Sequence, residues 1–172
     1  KLVSHSPMIE FANFQSPIGT LSILAAKDGV VKISFENESF EELEKWCQNH
    51  RGMAVADGTD FTIQARDQVL DYISGKTKSL DFPVVHINSP FRKRVLEAQR
   101  KIPYGQTRSY REVAEMVESP RAFRAVGSAN AANPLPLYFP CHRIICSDGS
   151  LGGFGWGLEV KKWLLEMETN QY

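Results

Sequence analysis

The most informative stretch of the chain runs Leu135-Pro136-Leu137-Tyr138-Phe139-Pro140-Cys141-His142-Arg143-Ile144-Ile145. A thiol, an imidazole and a guanidinium follow directly after an apolar segment that ends in a proline. Pro140 restricts the backbone in front of the thiol, and the apolar residues before it predict that the segment is anchored in a core. Because a thiol is a good nucleophile only as the thiolate, which a nearby imidazole or cation favours, the stretch predicts an activated cysteine. The alternative is that Cys141 is only a packing residue.

Two short helices are predicted upstream of this stretch. Ser109 and Glu112 form a capping-box pattern, and Ser119-Pro120 is expected to cap a second helix from Arg121 to about Asn130. Two short helices joined by a tight turn are typical of a helix-turn-helix, although many helical domains contain such pairs. The second helix is rich in small residues, so it could approach another surface closely: Ala122, Ala125, Gly127, Ser128, Ala129, Ala131 and Ala132.

A glycine-rich segment follows the Cys-His-Arg run and surrounds Phe154 and Trp156 with five glycines between residues 147 and 157. Glycine permits close approach of a ligand, and the two aromatic rings could line a site for a planar ligand. The spacing is not that of a phosphate-binding glycine loop, so no nucleotide cofactor is expected. A last amphipathic helix is predicted from Leu158 to Glu168, with its core contributed by Leu158, Trp163, Leu164 and Leu165.

The first half of the chain has the pattern of a small antiparallel sheet with two helices. Lys27-Asp28-Gly29 is a strong hairpin signal, and Cys47 is predicted to be a core residue of the first helix. The predicted strands are 9–13, 20–26 and 30–35, the predicted helices are 38–49 and 61–74, residues 51–60 are predicted to be a loop, residues 76–90 an extended connection, and a helix is predicted from Ser89-Pro90 to Arg100.

Composition excludes several classes of protein. The 172 residues are 42% hydrophobic and 23% charged, which is ordinary for a globular protein. No 18-residue apolar run is present, so no membrane partner is expected. Three cysteines without framework spacing predict a reducing, intracellular location. The net charge is zero, but residues 91–143 carry 10 Lys and Arg against 4 Asp and Glu, which favours either a phosphate-binding surface or a solvated helix face.

Together these residues resemble the O6-alkylguanine-DNA alkyltransferases, also called methylated-DNA–protein-cysteine methyltransferases. The resemblance lies within residues 90–168 and is looser in the first half, where it rests on Ser16-Pro17-Ile18-Gly19 and the hairpin. The matching pieces are Tyr104-Gly105-Gln106-Thr107 with Ser109-Tyr110, Arg124-Ala125-Val126-Gly127, Asn133-Pro134-Leu135-Pro136, Pro140-Cys141-His142-Arg143-Ile144, and the glycine-rich loop with Leu158 and Glu168.

The resemblance implies an α+β protein of two domains. Residues 1–85 would form a small antiparallel-sheet, ribonuclease-H-like domain, and residues 86–172 a mostly helical helix-turn-helix domain. The partner would be double-stranded DNA containing O6-alkylguanine, contacted in the minor groove with the damaged nucleotide flipped out. We expect a monomer that needs no cofactor, in the cytoplasm of a prokaryote or the nucleus of a eukaryote.

The resemblance also implies the residues of the DNA and base site. Arg124 would fill the gap left in the base stack, Ser128 would lie on the same DNA-facing helix, and Tyr110 would contact the flipped nucleotide. Asn133 would be a hinge between the helix-turn-helix and the active-site segment. The base would be bound by the carbonyls of Cys141 and Ile144 and by the loop residues Phe154, Gly155 and Trp156.

The chemistry implied by the resemblance is a single transfer. Cys141 would attack the alkyl carbon with guanine as the leaving group, and the thioether product would inactivate the protein. Neighbouring residues on an extended chain point to opposite faces, so His142 is not expected to touch the sulfur directly. The family arrangement is Cys–water–His–Glu, in which Glu168 would orient His142.

Two positions depart from many relatives. Gly155 stands where many members have a serine whose hydroxyl helps to hold O6, and Trp156 stands where some have glycine. The bulky indole predicts a narrower pocket and poor reaction with benzylguanine. Some relatives also bind a metal through cysteines in the first domain, but Cys47 is the only cysteine there, so no metal site is expected. Cys146 is expected to be a packing residue.

Three other functions compete with repair. A lesion-binding relative without repair activity would lack the acceptor cysteine, which is present here. A DNA-binding regulator would not need Cys141, His142 and Glu168 together. A cysteine hydrolase would need turnover and an oxyanion hole, and would give no role to the helix that carries Arg124.

Overall fold

The structure is a computed structural model that describes residues 8–51, 54–57, 60–86 and 88–169. The described residues form two compact units. The first consists of the described residues up to Leu70 together with those from Phe82 to residue 86, and the second of Asp71–Asp81 with the described residues from Asn88 onward. The predicted domain boundary between residues 85 and 86 stays a prediction.

The first unit contains a four-stranded sheet in the order β3-β2-β1-β4. The hairpins between β1, β2 and β3 are antiparallel, as predicted, whereas β4 pairs with β1 in parallel, from Met8 opposite Ala54 to Phe11 opposite Asp57. The strands are β1 (Met8–Ser16), β2 (Gly19–Ala26), β3 (Gly29–Ser34) and β4 (Ala54–Asp57).

The prediction of a loop over residues 51–60 was therefore wrong for the four residues of β4. Residues 52–53 and 58–59 lie outside the described residues. Four residues are too few to show a strand periodicity, and β4 forms only because β1, more than 40 positions earlier, offers its edge. Such a distant partner leaves no local signal in the sequence.

Two helices complete the first half of the chain, α1 (Phe40–Arg51) and α2 (Asp60–Ile73). Leu43 and Cys47 of α1 are buried against Ile9, Leu24 and Val31 of the sheet, which confirms Cys47 as a core residue. The last three residues of α2, from Asp71, belong to the second unit.

The connection after α2 returns to the sheet as an extended segment. Val30 donates its backbone N–H to the carbonyl of Pro83 at 2.8 Å, and Val85 donates to the carbonyl of Val30 at 2.9 Å. A Cβ on Gly29 would lie 2.8 Å from the Pro83 carbonyl oxygen. Glycine at this position therefore allows the segment to pair with β3.

The second unit is mostly helical, as predicted. Its helices α3, α4 and α5 enclose an apolar core that includes Val95, Val113 and Val126. The elements are α3 (Pro90–Arg100), β5 (Arg108–Ser109), α4 (Tyr110–Met116), α5 (Phe123–Ala131), the 3-10 turn Cys141–Arg143, β6 (Ile144–Ile145) and α6 (Leu158–Thr169).

The helix caps agree only in part with the sequence patterns. Ser89 caps α3, and the Ser109–Glu112 capping box is present in full. Ser119 does not cap α5, because the helix begins only after Ala122. A turn precedes the helix, in which the Ala122 N–H donates to the Ser119 carbonyl at 2.8 Å. Helices α4 and α5 pack on one another, and their assignment as a DNA-binding helix-turn-helix stays a prediction.

Helix α6 buries a different set of residues from the predicted one. Leu164 is buried as expected, but Leu158, at the first position of the helix, is 51% exposed. The buried face instead includes the polar residues Lys161 and Glu168. Within the ranges that the structure describes, every helix is too short or too polar to span a lipid bilayer.

Candidate active site

Cys141, His142 and Arg143 form a single turn of 3-10 helix, not the extended chain that the sequence argument assumed. The Arg143 N–H donates to the Pro140 carbonyl at 3.0 Å and closes this turn. The extended-chain premise was wrong because Pro140, with ψ of 70°, directs the chain into a turn. All three side chains are buried.

The turn is held in place by the segment before it. Asn133 donates from Nδ2 to the Phe139 carbonyl at 3.0 Å, and its Oδ1 accepts from the Leu135 N–H at 2.9 Å. Leu137 has a φ of 73°, an unfavourable conformation for a residue with a Cβ. Asn133 therefore fixes both ends of the strained segment that leads into the thiol, and its role as a hinge to the helix-turn-helix stays a prediction.

His142 and Glu168 form a direct pair, as the resemblance implied. Nε2 of His142 lies 2.9 Å from Oε1 of Glu168, and both side chains are inaccessible to solvent. Nδ1 of His142 is buried and makes no hydrogen bond to the protein. When Nε2 carries the proton and donates it to Glu168, Nδ1 is a free acceptor, which is the state a general base needs.

Two further residues bind the same carboxylate, and the sequence analysis assigned neither to the site. The Arg143 guanidinium donates from Nε at 3.0 Å and from a terminal nitrogen at 2.6 Å, and it also donates to the Ile102 carbonyl at 2.8 Å. The Tyr72 hydroxyl donates to Oε1 of Glu168. Arg143 could have been noticed beside His142, but Tyr72 lies 96 positions from Glu168 and has no local signal.

The electrostatics of the cluster explain the resting state of the thiol. Burial raises the pKa of Cys141 to about 11, although a hydrogen bond from Asn133 and the charge of Lys161 act in the opposite direction. Burial lowers the pKa of His142 below 6.5, against the effect of Glu168. Burial would raise the pKa of Glu168, but hydrogen bonds from His142 and Arg143 lower it to about 2. At neutral pH the site therefore holds a thiol, a neutral imidazole and a carboxylate.

A cavity of about 290 Å³ lies between α4, α5 and the glycine-rich loop. Phe154 and Trp156 meet edge to face, with ring centroids 5.2 Å apart. The lining residues are Tyr110, Gly127, Asn130, Ala131, Gly153, Phe154, Gly155 and Trp156. Four of the predicted base-binding residues are therefore brought together. The Cys141 side chain does not line this cavity, but its carbonyl oxygen lies 3.5 Å from Nδ2 of Asn130.

Lys161 organises the loop and was not identified from the sequence. Its ammonium group is buried and donates to the carbonyls of Ile144 at 2.6 Å and Gly153 at 3.3 Å, and also to that of Leu151. The Ile144 carbonyl, expected to bind the base, therefore already accepts one hydrogen bond. Because a carbonyl oxygen has two lone pairs, it retains the capacity to accept a second.

The two predicted DNA contacts on α5 are exposed. Arg124 and Ser128 lie one turn apart on the same helix, and the Ser128 hydroxyl donates to the Arg124 carbonyl at 3.3 Å. Val126 and Ala129 face the core. The exposed face of α5 therefore combines a cation with small side chains.

Among the described residues, no three His, Cys, Asp or Glu side chains lie close enough together to hold a metal ion. Cys146 is partly buried, and a Cβ on Gly152 would lie 3.1 Å from its sulfur. Its sulfur therefore contacts the glycine-rich loop, as a packing residue would.

Comparison with known proteins assigns both halves of the chain. Residues 9–85 match the model of the 6-O-methylguanine DNA methyltransferase ribonuclease-like domain, and residues 90–170 match that of the DNA binding domain of the same proteins. These matches confirm the predicted resemblance and extend it to the first half, where the sequence signal was weaker.

Similar proteins cover nearly the whole chain. A methylated-DNA–protein-cysteine methyltransferase of Methanosarcina barkeri is 37% identical over 91% of this chain and 94% of its own. The constitutive Bacillus subtilis protein of the same name is 33% identical over 94% and 96%. The crystal structure of Mycobacterium tuberculosis O6-methylguanine methyltransferase has a TM-score of 0.83 at 32% identity, over 96% and 95%.

A second Mycobacterium tuberculosis structure, of OGT in complex with DNA, has a TM-score of 0.80 at 32% identity and covers 93% of this chain and 92% of that one. The predicted fold class, a small sheet followed by a mostly helical part, is thereby confirmed. With both domain models matched in order and relatives above 30% identity over almost its full length, the chain belongs to the 6-O-methylguanine DNA methyltransferase family.

Proposed function

We propose that this protein repairs DNA by transferring the alkyl group of O6-alkylguanine, and also that of O4-alkylthymine, to Cys141. The observation that carries the proposal is the buried arrangement of Cys141 with the His142–Glu168 pair behind a cavity walled by aromatic rings and glycine. The reaction is a methylated-DNA–protein-cysteine S-methyltransfer in which the protein acts once.

The Cys141 thiol needs a base before it can act as a nucleophile. With its pKa at about 11, Cys141 is protonated at neutral pH and needs a base. Nδ1 of His142 accepts the thiol proton through a bridging water, and Glu168 stabilises the imidazolium that forms. Sγ then bonds to the alkyl carbon, the bond from that carbon to O6 breaks, and its electron pair passes to the guanine.

No step restores the thiol. The new carbon–sulfur bond is a thioether, which neither His142 nor water cleaves under physiological conditions. The guanine is released from the alkyl group as its anion, whose negative charge the imidazolium of His142 balances, and it becomes neutral guanine by taking up one proton, which matches the one that the thiol gave up. Each molecule of protein therefore repairs one lesion without a cofactor or a metal ion.

The damaged nucleotide must leave the base stack to reach this site. A stacked base hides its O6 substituent, so proteins that act on bases flip them into a pocket. In this proposal α5 lies in the minor groove of the DNA, because its small residues allow close approach. Arg124 fills the gap that the flipped base leaves in the base stack, and Ser128 lies at the DNA backbone. Tyr110, Phe154, Gly155 and Trp156 would then enclose the flipped base, with Asn133 holding the acceptor turn.

Intact mass spectrometry tests the proposal directly. After mixing with excess duplex that carries O6-methylguanine, the protein is expected to gain the mass of one methylene, saturating at one per chain and mapping to the Cys141 peptide. An unchanged mass with preferential lesion binding would identify a lesion-binding protein without repair activity.

The Cys141→Ser variant separates the remaining alternatives. Repair predicts that transfer is abolished while DNA binding is retained. A DNA-binding regulator would keep its activity in this variant, whereas a hydrolase would lose the multiple-turnover hydrolysis of a small ester or peptide. The same variant, measured by sedimentation with and without duplex DNA, tests the expected monomer.

A further inference from the structure

Tyr72 lies near the end of α2 and contacts both members of the His142–Glu168 pair. Its hydroxyl donates to Oε1 of Glu168 and lies 3.4 Å from Nε2 of His142. Tyr72 is buried, with only 1% of its surface exposed. The proposed transfer of the thiol proton to Nδ1 of His142 gives no role to this hydroxyl.

The Tyr72 hydroxyl is a donor to the carboxylate in the resting site. Burial and the charge of Glu168 raise the pKa of Tyr72 well above its usual range, so the hydroxyl keeps its proton at neutral pH. A phenol has a single proton to donate, and Glu168 accepts it. The Tyr72 oxygen can therefore act towards His142 only as an acceptor.

Two acceptors consequently face Nε2 of His142. Oε1 of Glu168 lies 2.9 Å from Nε2, and the Tyr72 oxygen lies 3.4 Å from it. Because both oxygens present lone pairs, Nε2 carries the imidazole proton. The other ring nitrogen, Nδ1, is buried and makes no hydrogen bond to the protein. Tyr72 thus favours the tautomer in which Nδ1 can accept a proton.

Tyr72 also shares its acceptor with other donors. Oε1 of Glu168 accepts from Tyr72, from Nε2 of His142 at 2.9 Å and from a terminal nitrogen of Arg143 at 2.6 Å. Hydrogen bonds to a carboxylate stabilise its negative charge, so each donor leaves less of that charge for the others to attract. The Tyr72 hydroxyl therefore weakens the interaction that Glu168 can offer to an imidazolium.

The other groups around the imidazole decide where this weakening acts. Burial has the largest effect on the pKa of His142 and lowers it, and the charges of Arg143 and Lys161 lower it further. Glu168 acts in the opposite direction, and Cys141, in the same turn, is an uncharged thiol at neutral pH. Glu168 is thus the group that favours the imidazolium, and Tyr72 is a neutral donor bound to it.

We propose that Tyr72 is a positioning residue that, by donating to Glu168, keeps His142 uncharged and its Nδ1 free until the thiol proton arrives. The inference rests on the proposed function, in which Nδ1 accepts that proton. Without the Tyr72 hydroxyl, Oε1 would bind an imidazolium more strongly, and His142 would take up a proton from solvent at a higher pH. A protonated imidazole cannot accept the thiol proton, so transfer would fail first in mild acid.

The pH dependence of Tyr72→Phe tests the inference. Single-turnover methyl transfer from saturating duplex DNA containing O6-methylguanine is measured on the variant and on the unaltered protein between about pH 5.5 and 8.5. The acid limb, in which the rate falls with decreasing pH, should move up by roughly half a pH unit or more in Tyr72→Phe. The rate at the alkaline end should change by less than about twofold.

The charge of His142 is also followed directly, without DNA. NMR shifts of its imidazole nitrogens, assigned by their loss in His142→Gln, are recorded over the same pH range. Protonation of His142 should occur at a higher pH in Tyr72→Phe, in step with the acid limb. A hydroxyl that served only to pack α2 would leave the protonation of His142 unchanged.

Ser89→Ala is the control for a loss of stability alone. Ser89 is exposed and caps α3, where its hydroxyl accepts from the Arg92 N–H at 3.3 Å. Losing this cap should cost about as much stability as losing the Tyr72 hydroxyl, on the order of 1 kcal/mol. Ser89→Ala should keep the acid limb of the unaltered protein, and an equal shift in this control would overturn the inference.

A second variant covers the case in which Tyr72→Phe does not fold. A ring-fluorinated tyrosine in place of Tyr72 alone keeps the hydroxyl and makes it a stronger donor, because fluorine withdraws electron density from the phenol. The acid limb and the protonation of His142 should then move to lower pH. Acid limbs and imidazole shifts that coincide with those of the unaltered protein would overturn the role of Tyr72 while repair stands.

Failure of the proposed function would be seen separately. If the unaltered protein transfers no methyl group at any pH, the repair activity is contradicted. The NMR comparison of Tyr72→Phe with the unaltered protein would then still decide whether Tyr72 controls the charge of His142.

Discussion

Glu168 accepts hydrogen bonds from three side chains that are far from it in the sequence, the neighbours His142 and Arg143 and, from the end of α2, Tyr72. At neutral pH one buried carboxylate thus faces one permanent cation, one neutral hydroxyl and one neutral imidazole. Arg143 balances the charge of Glu168 and helps to lower the pKa of His142, so the imidazole remains neutral, as the proposed base must be.

The partners of Glu168 should differ in their contribution to stability. Tyr72→Phe removes one hydrogen bond and keeps the ring, and should lower the free energy of unfolding by about 1–2 kcal/mol. Arg143→Met leaves a buried carboxylate without its cation and should cost about 3–5 kcal/mol. Urea denaturation checks both values.

Arg66→Met is the control for this comparison. Arg66 pairs with Asp67 at 3.0 Å on the surface, and the change should cost less than about 1 kcal/mol. Equal losses for Tyr72→Phe and Arg143→Met would contradict the charge-balancing role of Arg143.

Trp156 should control the size of the alkyl group that the protein accepts. Its indole packs edge to face on Phe154 at the wall of the cavity, so Trp156→Gly enlarges the pocket. The variant should be inactivated by O6-benzylguanine at least roughly tenfold faster than the unaltered protein, with methyl transfer from duplex DNA much less affected. Equal rates of inactivation by benzylguanine would show that the indole does not limit access.

At the scale of elements, one face of α6 carries two buried charged groups, the Lys161 ammonium and the Glu168 carboxylate. Lys161, Leu164 and Glu168 are buried at spacings of three and four residues, which places them on one side of a helix. Lys161 near the start of α6 holds the glycine-rich loop and β6, and Glu168 near its end holds the acceptor turn. One helix thereby contacts both β6 with the glycine-rich loop and the turn that carries Cys141 and His142.

Removing the Lys161 ammonium should therefore loosen the loop. Lys161→Met leaves the carbonyls of Ile144, Leu151 and Gly153 without this donor, and should lower the free energy of unfolding on the order of 2–4 kcal/mol. Hydrogen exchange measured by mass spectrometry should show faster exchange of the amides of residues 149–157. Lys162→Met, at an exposed neighbour whose ammonium lies 3.9 Å from Glu166, is the matched control, and equal exchange in both variants would contradict the assignment.

At the scale of the whole molecule, the buried titratable groups predict lower stability in acid. The pKa of His142 is lowered from 6.5 by burial, so below that pH the unfolded chain binds more protons than the folded one and stability falls. The pKa of Glu168 falls from 4.5 to about 2, so its contribution is present above pH 4.5 and is lost between pH 4.5 and 2. Both groups therefore lower the free energy of unfolding as the pH falls.

Denaturation at a series of pH values tests this expectation. The free energy of unfolding should decrease from pH 7.5 to 5.5, and the slope should be smaller in His142→Gln because the titrating group is gone. An unchanged slope in that variant would exclude His142 as the cause. The rate of methyl transfer should be independent of pH between 7 and 8.5 and decrease in acid, where a protonated His142 cannot accept the thiol proton.

Local sequence patterns predicted most elements of the fold, whereas the assignment of Cys141, His142 and Glu168 to the reaction stays a prediction. The hairpin, the capping box of α4, the core position of Cys47 and the run around Cys141 each depend on neighbours a few positions apart, and motif spacing reports such neighbours directly. The strand β4 was missed because its pairing with the distant β1 decides it, and the start of α5 was misplaced because a turn, closed by the Ala122 N–H and the Ser119 carbonyl, precedes the helix.

What only the tertiary structure decided is the environment of the thiol. The sequence and its family resemblance predicted a site of Cys141, His142 and Glu168, but the charge states of these residues follow from burial and from Arg143 and Lys161, which the fold brings to them. The sequence by itself determined which groups are present and their local conformation, whereas hydrogen-bond partners and dielectric environment depend on contacts across tens of residues that no local pattern contains.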